Sequence, residues 1–430
     1  MLAAMSTAAP RPSPQATVAS RVRGDACPGT LRLHTADDGA LARVRVPGGV
    51  VTVRQAEVLA DAARRLGDGE LHLTSRGNVQ LRGLRQACGG ELAGLLDAAG
   101  LLPSYTHERV RNVVASPLSG LDGRGLREVR PWLTDLDAAL CASQAAPGLS
   151  GRFLFALDDG RGDVAGLGAD VTVRAAADGA ALLGLGSGGE VLRVPAGDAA
   201  RAAVLAAEAF LDLVRESGSR AWRVDELDVP PGELPRAVRR RLDAAGVGCA
   251  AGTSVAAESS AGPPPGAAGS ALSVHVPLGR LTPPQWRELT RAADGELRLT
   301  PWRGVVVPLS PQADAADLLA GLAATGLVTD PASPWLRVGA CIGRPGCAKS
   351  RADVRADAER ALAAAGRSPL PLYWSGCERR CGHPAGDRAD VVAVAGGGYE
   401  LSAVTARRPP RTAPLDHPSH LATALAAISP

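Results

Sequence analysis

Asp68-Gly69-Glu70-Leu71-His72-Leu73-Thr74 returns in the second half of the chain as Asp294-Gly295-Glu296-Leu297-Arg298-Leu299-Thr300. A second match, Val46-Pro47 against Val276-Pro277, stands upstream of each copy, and each is followed by residues with helical spacing. An internal repeat at so long a period implies duplication of a whole unit around a pseudo-twofold core. After the shared Thr the copies part. The first continues Ser75-Arg76-Gly77-Asn78-Val79-Gln80, the second Pro301-Trp302-Arg303-Gly304. This divergence predicts that one copy carries function on the face where the other only packs.

Working outward, residues 27–46 alternate (Leu31, Leu33, then Leu41, Val44, Val46) about a turn at Asp37-Asp38-Gly39, which predicts a β-hairpin. Residues 53–66 have helical spacing and end at Gly67-Asp68-Gly69. Residues 70–84 alternate again around Thr74–Asn78, and 91–99 read as a second helix. Strand, strand, helix, strand, helix is the order of an α+β sandwich. Between the copies come a segment at 110–117, a helix near 133–141, a strand entering a turn at 151–160, and a helix over 199–216. Residues 251–271 are mostly Ala, Gly, Pro and Ser, with almost no large apolar residue, and read as a linker or surface loop. Residues 421–428 form a closing helix. The division expected is a disordered tail (1–20), a first half-domain (21–103), an α/β segment (104–220), a connection (221–272), a second half-domain (273–330) and a second α/β segment (331–430).

That last segment holds Cys341 and Cys347, separated by five residues, then Cys377 and Cys381, separated by three. Four thiolates in two close pairs suit a four-iron cluster, one per iron. Gly343, Pro345, Gly346, Gly376 and Gly382 flank them and permit tight turns. Residues 348–365 lack Gly and Pro and read as a helix, which would place Cys347 at a helix N-terminus. A structural zinc site is the competing reading, although a five-residue gap is wide for it. Disulfides would require an oxidising compartment, which nothing in the sequence indicates. Cys27, Cys88, Cys141 and Cys249 are isolated and read as small apolar fillers.

Composition sets outer bounds. The chain has 430 residues, 46% hydrophobic and 21% charged, with a net charge of +3, which describes a folded protein and gives no argument for nucleic acid. Lys349 is the only lysine, so almost every cation is an arginine. Genomic base composition accounts for much of that. Arginine is nonetheless the side chain suited to bidentate carboxylate binding. No apolar run reaches the ~18 residues of a membrane span. The first 20 residues lack the charged start and apolar core of a signal peptide, so the cytoplasm is expected.

Together, Thr74-Ser75-Arg76-Gly77-Asn78-Val79-Gln80-Leu81-Arg82-Gly83, Arg111-Asn112, the repeat and the two cysteine pairs resemble the nitrite/sulfite reductase superfamily. The resemblance runs from about Cys27 to Val404. It implies two ferredoxin-like half-domains alternating with two α/β segments, the last carrying a [4Fe-4S] cluster on Cys341, Cys347, Cys377 and Cys381. In the reductases a siroheme adjoins the cluster. Several stretches look more like the precorrin-3B synthases: Gly24-Asp25-Ala26-Cys27-Pro28-Gly29, Asp38-Gly39-Ala40-Leu41-Ala42-Arg43-Val44-Arg45, Asp158-Asp159-Gly160-Arg161-Gly162-Asp163, Leu299-Thr300-Pro301-Trp302-Arg303-Gly304, and Ser375-Gly376-Cys377 leading to Cys381-Gly382-His383-Pro384. Those enzymes are oxygen- and NADH-dependent monooxygenases of aerobic cobalamin synthesis. They hydroxylate C20 of precorrin-3A and close a lactone from a ring-A acetate.

The resemblance assigns Arg76, Asn78, Gln80, Arg111 and Arg152 to the carboxylates of a bound tetrapyrrole. A buried unpaired carboxylate is expensive, so any such pocket needs these donors. Leu154 stands where the reductases usually carry Lys, which argues against reduction of a small anion. His383 is the candidate for a hydrogen bond to a cluster sulfur or for a second iron. Asp158, Asp159 and Asp163 read as turn formers rather than an acid–base set. The family is thought to use a mononuclear non-haem iron, and no two-His-one-carboxylate spacing is present to supply its ligands. No GxGxxG fingerprint follows a strand, so a separate reductase is expected to deliver NADH electrons. Two other readings stand: a siroheme-dependent sulfite or nitrite reductase, and an electron carrier or regulator with no chemistry of its own.

Overall fold

A computed structural model describes residues 27–253, 262–384, 386–405 and 408–428. The expected tail at 1–20 lies outside the described residues, as does the centre of the expected linker. Residues 27–336 form one compact unit and residues 337–430 a second.

The first half-domain begins with β1 (His34–Ala36) and β2 (Gly39–Val44), the expected hairpin, followed by β3 (Val50–Thr52) and α1 (Val53–Leu66). Thr52 caps α1 in a capping box with Gln55. Then come β4 (Leu71–Leu73), β5 (Val79–Leu84) and α2 (Gly89–Ala98). The middle segment supplies six strands, β6 (Val113–Ala115), β7 (Phe155–Asp158), β8 (Val171–Ala175), β9 (Ala181–Leu185), β10 (Val191–Val194) and β11 (Ala250–Gly252). Its helices are α3 (Arg130–Ala142), α4 (Ala199–Glu216) and α5 (Glu233–Ala244). They cover one sheet face through Trp132, Leu136, Phe210 and Val238.

The second half-domain repeats the first: β12 (Gly266–Ala268), β13 (Ala271–His275), β14 (Arg280–Leu281), α6 (Pro283–Ala292), β15 (Glu296–Leu299), β16 (Gly304–Pro308) and α7 (Ala315–Ala324). Thr282 and Gln285 rebuild the same capping box. The expected linker differs from observation at both ends. Ala250–Gly252 pairs with Val191–Arg193, and Gly266–Ala268 pairs with Ala271–Ser273. Such edge strands draw on backbone hydrogen bonds alone, so the missing large side chains that suggested a loop do not prevent pairing.

The two half-domains exchange strands. β3 leaves its own copy and pairs with β15, while β14 pairs with β4. Neither five-stranded sheet is complete without the other copy. The exchange brings both helical layers into one core, where Leu59, Leu66 and Val79 meet Trp286, Leu289 and Val305. Trp286 Nε1 donates to Ala56 O across the copies at 2.8 Å. The crossing is tight. Gly49 (φ 72°) and Gly279 (φ 68°) occupy matching left-handed positions. A Cβ on Gly49 would lie 1.9 Å from Leu299 O, and one on Gly279 would lie 3.1 Å from Leu73 O.

The second unit is a five-stranded sheet, β17 (Val338–Ala340), β18 (Leu372–Ser375), β19 (Arg388–Ala393), β20 (Tyr399–Thr405) and β21 (Arg408–Leu415), with short helices α8 (Val354–Arg360) and α9 (Leu362–Ala365) and a closing α10 (Leu421–Ile428). No helix among the described residues is long and apolar enough to cross a membrane.

Gly49→Ala should lower unfolding stability by at least ~2 kcal/mol in urea titration, since left-handed strain and a backbone clash coincide. Gly69→Ala, at φ 86° with open space around it, should cost only about 1–2 kcal/mol. Equal losses would mean that the exchange does not crowd Gly49.

Candidate functional site

The strand registers place a row of side chains across the first sheet: Arg43 beside Gln80, Gln80 beside His72, His72 beside Arg280. The corresponding row of the second sheet is Ser273, Val306, Arg298, Val50. Apolar partners of these strands (Val44, Val79, Leu73) face the helical core, so each row lies on the opposite sheet face. In the second copy that face is packed: Val306 meets Leu118 and Ala271, and Arg298 donates to Pro117 O and Ser119 O at 3.0 and 2.7 Å. In the first copy it is polar and cationic. The divergence after the shared Thr therefore does separate a polar face from a packing face.

Arg76 sits in the turn between β4 and β5, partly buried, and its guanidinium has no hydrogen-bond or ion-pair partner among the described residues. Burial, reinforced by Arg223 and Arg43, pushes it down to about 10, against the opposing pull of Cys27 and Asp170. Burial also lowers Arg43, whose Nε is buried without a partner. Arg223 is fixed by Asp170, with Nε to Oδ2 at 2.6 Å. Arg152 is exposed and lies 4.9 Å over the ring of Trp222. Two guanidiniums held partly out of water without counter-ions form an environment that favours an incoming carboxylate.

The other expected contacts turn out differently. Arg111 is 4% exposed and bound bidentately by Asp137, both distances 2.7 Å, with a third bond to Leu101 O. Three of its five N–H groups are engaged inside the fold, a scaffold role not foreseen beside the ligand contact expected of it. Asn78 is likewise a stitch. Its Oδ1 accepts from Val46 N at 2.9 Å, and its Nδ2 donates to Asn112 Oδ1 at 3.0 Å. Gln80 remains on the polar row.

Leu154 is 3% exposed and packs with Val114, Ala156, Val164 and Ala169, against partly buried Trp302. Its side chain joins an apolar cluster, while its N–H donates to Asp170 Oδ2 at 2.8 Å, the same oxygen that Arg223 Nε binds. Asp158, Asp159 and Asp163 are buried within metal-ligand distance of one another. Asp158 accepts from the backbone of Gly160, Gly162 and Ala165, Asp159 binds Arg161, and Asp163 accepts from Ser116 Oγ at 2.6 Å. They organise the turn, as read from the sequence. Asp68, Glu70 and His72 also converge. Arg280 engages Glu70 at 2.5 Å through two nitrogens, and His72 lies 3.6 Å from Asp68, so these groups are committed to each other.

In the second unit the four expected cysteines converge at the ends of β17 and β18. Partial burial and the neighbouring Cys377, Cys341 and Cys347 raise the Cys381 thiol. Gly376 N donates to Cys341 Sγ at 3.2 Å. No three of these sulfurs fall within 4.8 Å of one another. A single tetrahedral zinc at ~2.3 Å from each sulfur would draw all four to roughly 3.8 Å. Cys347 is not at a helix N-terminus, because the helix starts at Val354, capped by Asp353. Residues 348–352 instead turn toward the second cysteine loop, through Arg351 N to Gly376 O at 2.9 Å and Ser350 packed where a Cβ on Gly376 would fall. His383 is exposed, with its ring nitrogen 3.1 Å from Pro384 O.

Sequence reasoning missed Arg43, Arg223 and Trp222, and read Cys27 as filler although it lies beside Arg43 and Arg76. Arg43 and Arg45 at alternate strand positions were a readable signal. Arg223 and Trp222 arrive from a distant loop and left none.

Comparison with known proteins matches residues 34–98 and 265–325 to the nitrite/sulfite reductase ferredoxin-like half domain. The chain is 29% identical to a ferredoxin–nitrite reductase of Synechococcus elongatus over 80% of its length and 74% of that protein. It is 26% identical to a precorrin-3B synthase of Sinorhizobium over 91% of its length and 85% of that protein. The fold matches the Mycobacterium tuberculosis NirA protein with a TM-score of 0.68 at 18% identity, covering 89% of this chain and 79% of that one.

Arg111→Ala should destabilise the protein by about 3 kcal/mol in denaturant titration, because Asp137 loses a buried partner. Arg76→Ala should change stability by less than ~1 kcal/mol. Burial, with Asp158 and Asp159 beside it, pushes Asp163 up to about 6. Folding thus favours its protonated form, and stability should fall as pH rises from about 4 to 6, by up to about 3 kcal/mol. Melting curves of Asp163→Asn should lack that fall.

Proposed function

We propose that this chain, which has the nitrite/sulfite reductase architecture and both of its ferredoxin-like half domains, is an oxidoreductase acting on a carboxylate-rimmed tetrapyrrole: a precorrin-3B synthase. The reaction is hydroxylation of precorrin-3A at C20 with lactone formation. One atom of dioxygen enters the substrate and the other leaves as water, with two electrons drawn from NADH.

The observation that carries this reading is Leu154, buried among Val114, Ala156, Val164 and Ala169. A cation there would serve reduction of a small anion, and an apolar side chain does not. Arg76 and Arg43, free of counter-ions among the described residues, are the donors for substrate carboxylates, with Arg152 steadied on Trp222 and Gln80 beside them. Cys341, Cys347, Cys377 and Cys381 would hold a [4Fe-4S] cluster, which supplies single-electron transfer. The thiolates require a reducing compartment, and the cytoplasm meets that need. A separate reductase would pass on the NADH electrons, and direct NADH oxidation by the pure protein would remove that partner. No group of two histidines and a carboxylate for a mononuclear iron converges among the described residues.

The nitrite reductase relative favours a second reading, a siroheme-dependent reductase. The absorption spectrum of anaerobically purified protein, with iron and sulfide counts, separates the two. Broad cluster absorption bleached by dithionite, followed by turnover of precorrin-3A with NADH, oxygen and a reductase, is the expected result. Sharp siroheme bands would overturn it. Arg76→Ala should raise KM for the tetrapyrrole about tenfold, the loss of ~1.4 kcal/mol from one charge-assisted hydrogen bond, with the iron content unchanged.

A further inference from the structure

Ser375 ends β18 one residue before the Gly376–Cys377 turn, and it is 0% exposed. Its Oγ has no hydrogen-bond partner among the described residues. A buried hydroxyl left without an acceptor typically costs ~1–3 kcal/mol, so a position that keeps one calls for an explanation.

The register shows where the hydroxyl points. Ala340 of β17 pairs with Trp374 of β18, and Cys341 N–H extends this parallel ladder to Trp374 O at 2.9 Å. Cys341 and Ser375 therefore stand side by side on one sheet face. Tyr373, two residues earlier on that same face, sends its hydroxyl to Cys381 O at 2.5 Å. Gly376 N already donates to Cys341 Sγ. Trp374 faces the other way, edge-on to Tyr399 at 5.0 Å. The buried hydroxyl thus lies among groups of both cysteine loops, and the acceptor it lacks is one the bound group would bring.

We infer that Ser375 is a positioning residue for the iron–sulfur cluster, its O–H donating a hydrogen bond to a cluster sulfur. This rests on the cluster assignment above. Reduction adds negative charge to the cluster, and a donor aimed at sulfur stabilises that charge and raises the reduction potential. Of the charged residues between the last two cysteines, Glu378 pairs with Arg351 and Arg380 with Asp390.

The test is an anaerobic redox titration of the full-length, cluster-loaded protein, followed by electron paramagnetic resonance. Ser375→Ala should shift the reduction equilibrium about tenfold toward the oxidised cluster, about 59 mV for one electron. Ser375→Thr, which keeps the hydroxyl, should stay at the wild-type potential. An unchanged potential in Ser375→Ala would overturn the inference while leaving the cluster in place. If Ser375→Ala assembles no cluster, Ser375→Val, which matches Thr in shape but carries no donor, decides: a potential below that of Ser375→Thr upholds the bond, and an equal potential refutes it. Wild-type protein lacking four irons and four sulfides would refute the cluster assignment itself, a separate failure.

Discussion

Everything in the larger unit depends on a trade of strands. Val50–Thr52 completes the sheet of the second half-domain, and Arg280–Leu281 completes that of the first. Each exchanged piece is too short to form a sheet edge in isolation, and each is held by backbone hydrogen bonds that water would otherwise take. The exchange forces Gly49 against Leu299 O and Gly279 against Leu73 O, leaving no room for a side chain at the first position. It also makes one core from two, so neither copy can drift relative to the other.

A rigid pseudo-twofold core lets the two outer sheet faces diverge without endangering the fold. One face became packing, with Val306 against Leu118 and Arg298 tied to the 117–119 loop. The matching face kept Arg43, Gln80 and His72, with Arg76 in the adjoining turn. Holding cations partly buried without counter-ions is unfavourable for folding alone. The shared core supplies the stability that allows it, and on the proposed reading a ligand carboxylate would supply the missing charge. Arg111 marks the contrast. It belongs to the same sequence signature, yet Asp137 takes its donors and turns it into scaffold.

The smaller unit follows a similar logic at the cysteines. Two parallel strands end side by side and deliver Cys341 and Cys377 to one edge. The stretch after Cys347 spends its hydrogen bonds on the facing loop instead of on a helix, through Arg351 N and the packing of Ser350 under Gly376. Helical spacing in residues 348–353 was real but outcompeted by these tertiary contacts. The placement of the cysteines thus comes from loop-to-loop contact, since the nearest helix starts at Val354.

The sequence alone determined the elements whose causes are local or repeated. The α1 and α4 helices follow their apolar spacing to the residue, the hairpin turns where Asp38-Gly39 permits it, and the repeat declares the duplication. Both cysteine pairs stand out in the sequence by their spacing. Only the tertiary structure decided what each arginine does. Arg76 and Arg111 look alike in sequence, and the difference is whether a carboxylate from a distant helix reaches them. Asp137 reaches one, while Arg223, a second cation, approaches the other. The strand exchange was invisible for the same reason. Val50–Thr52 and Arg280–Leu281 carry no mark of which sheet they join, because backbone pairing is indifferent to side chains and is settled by where the rest of the chain brings them.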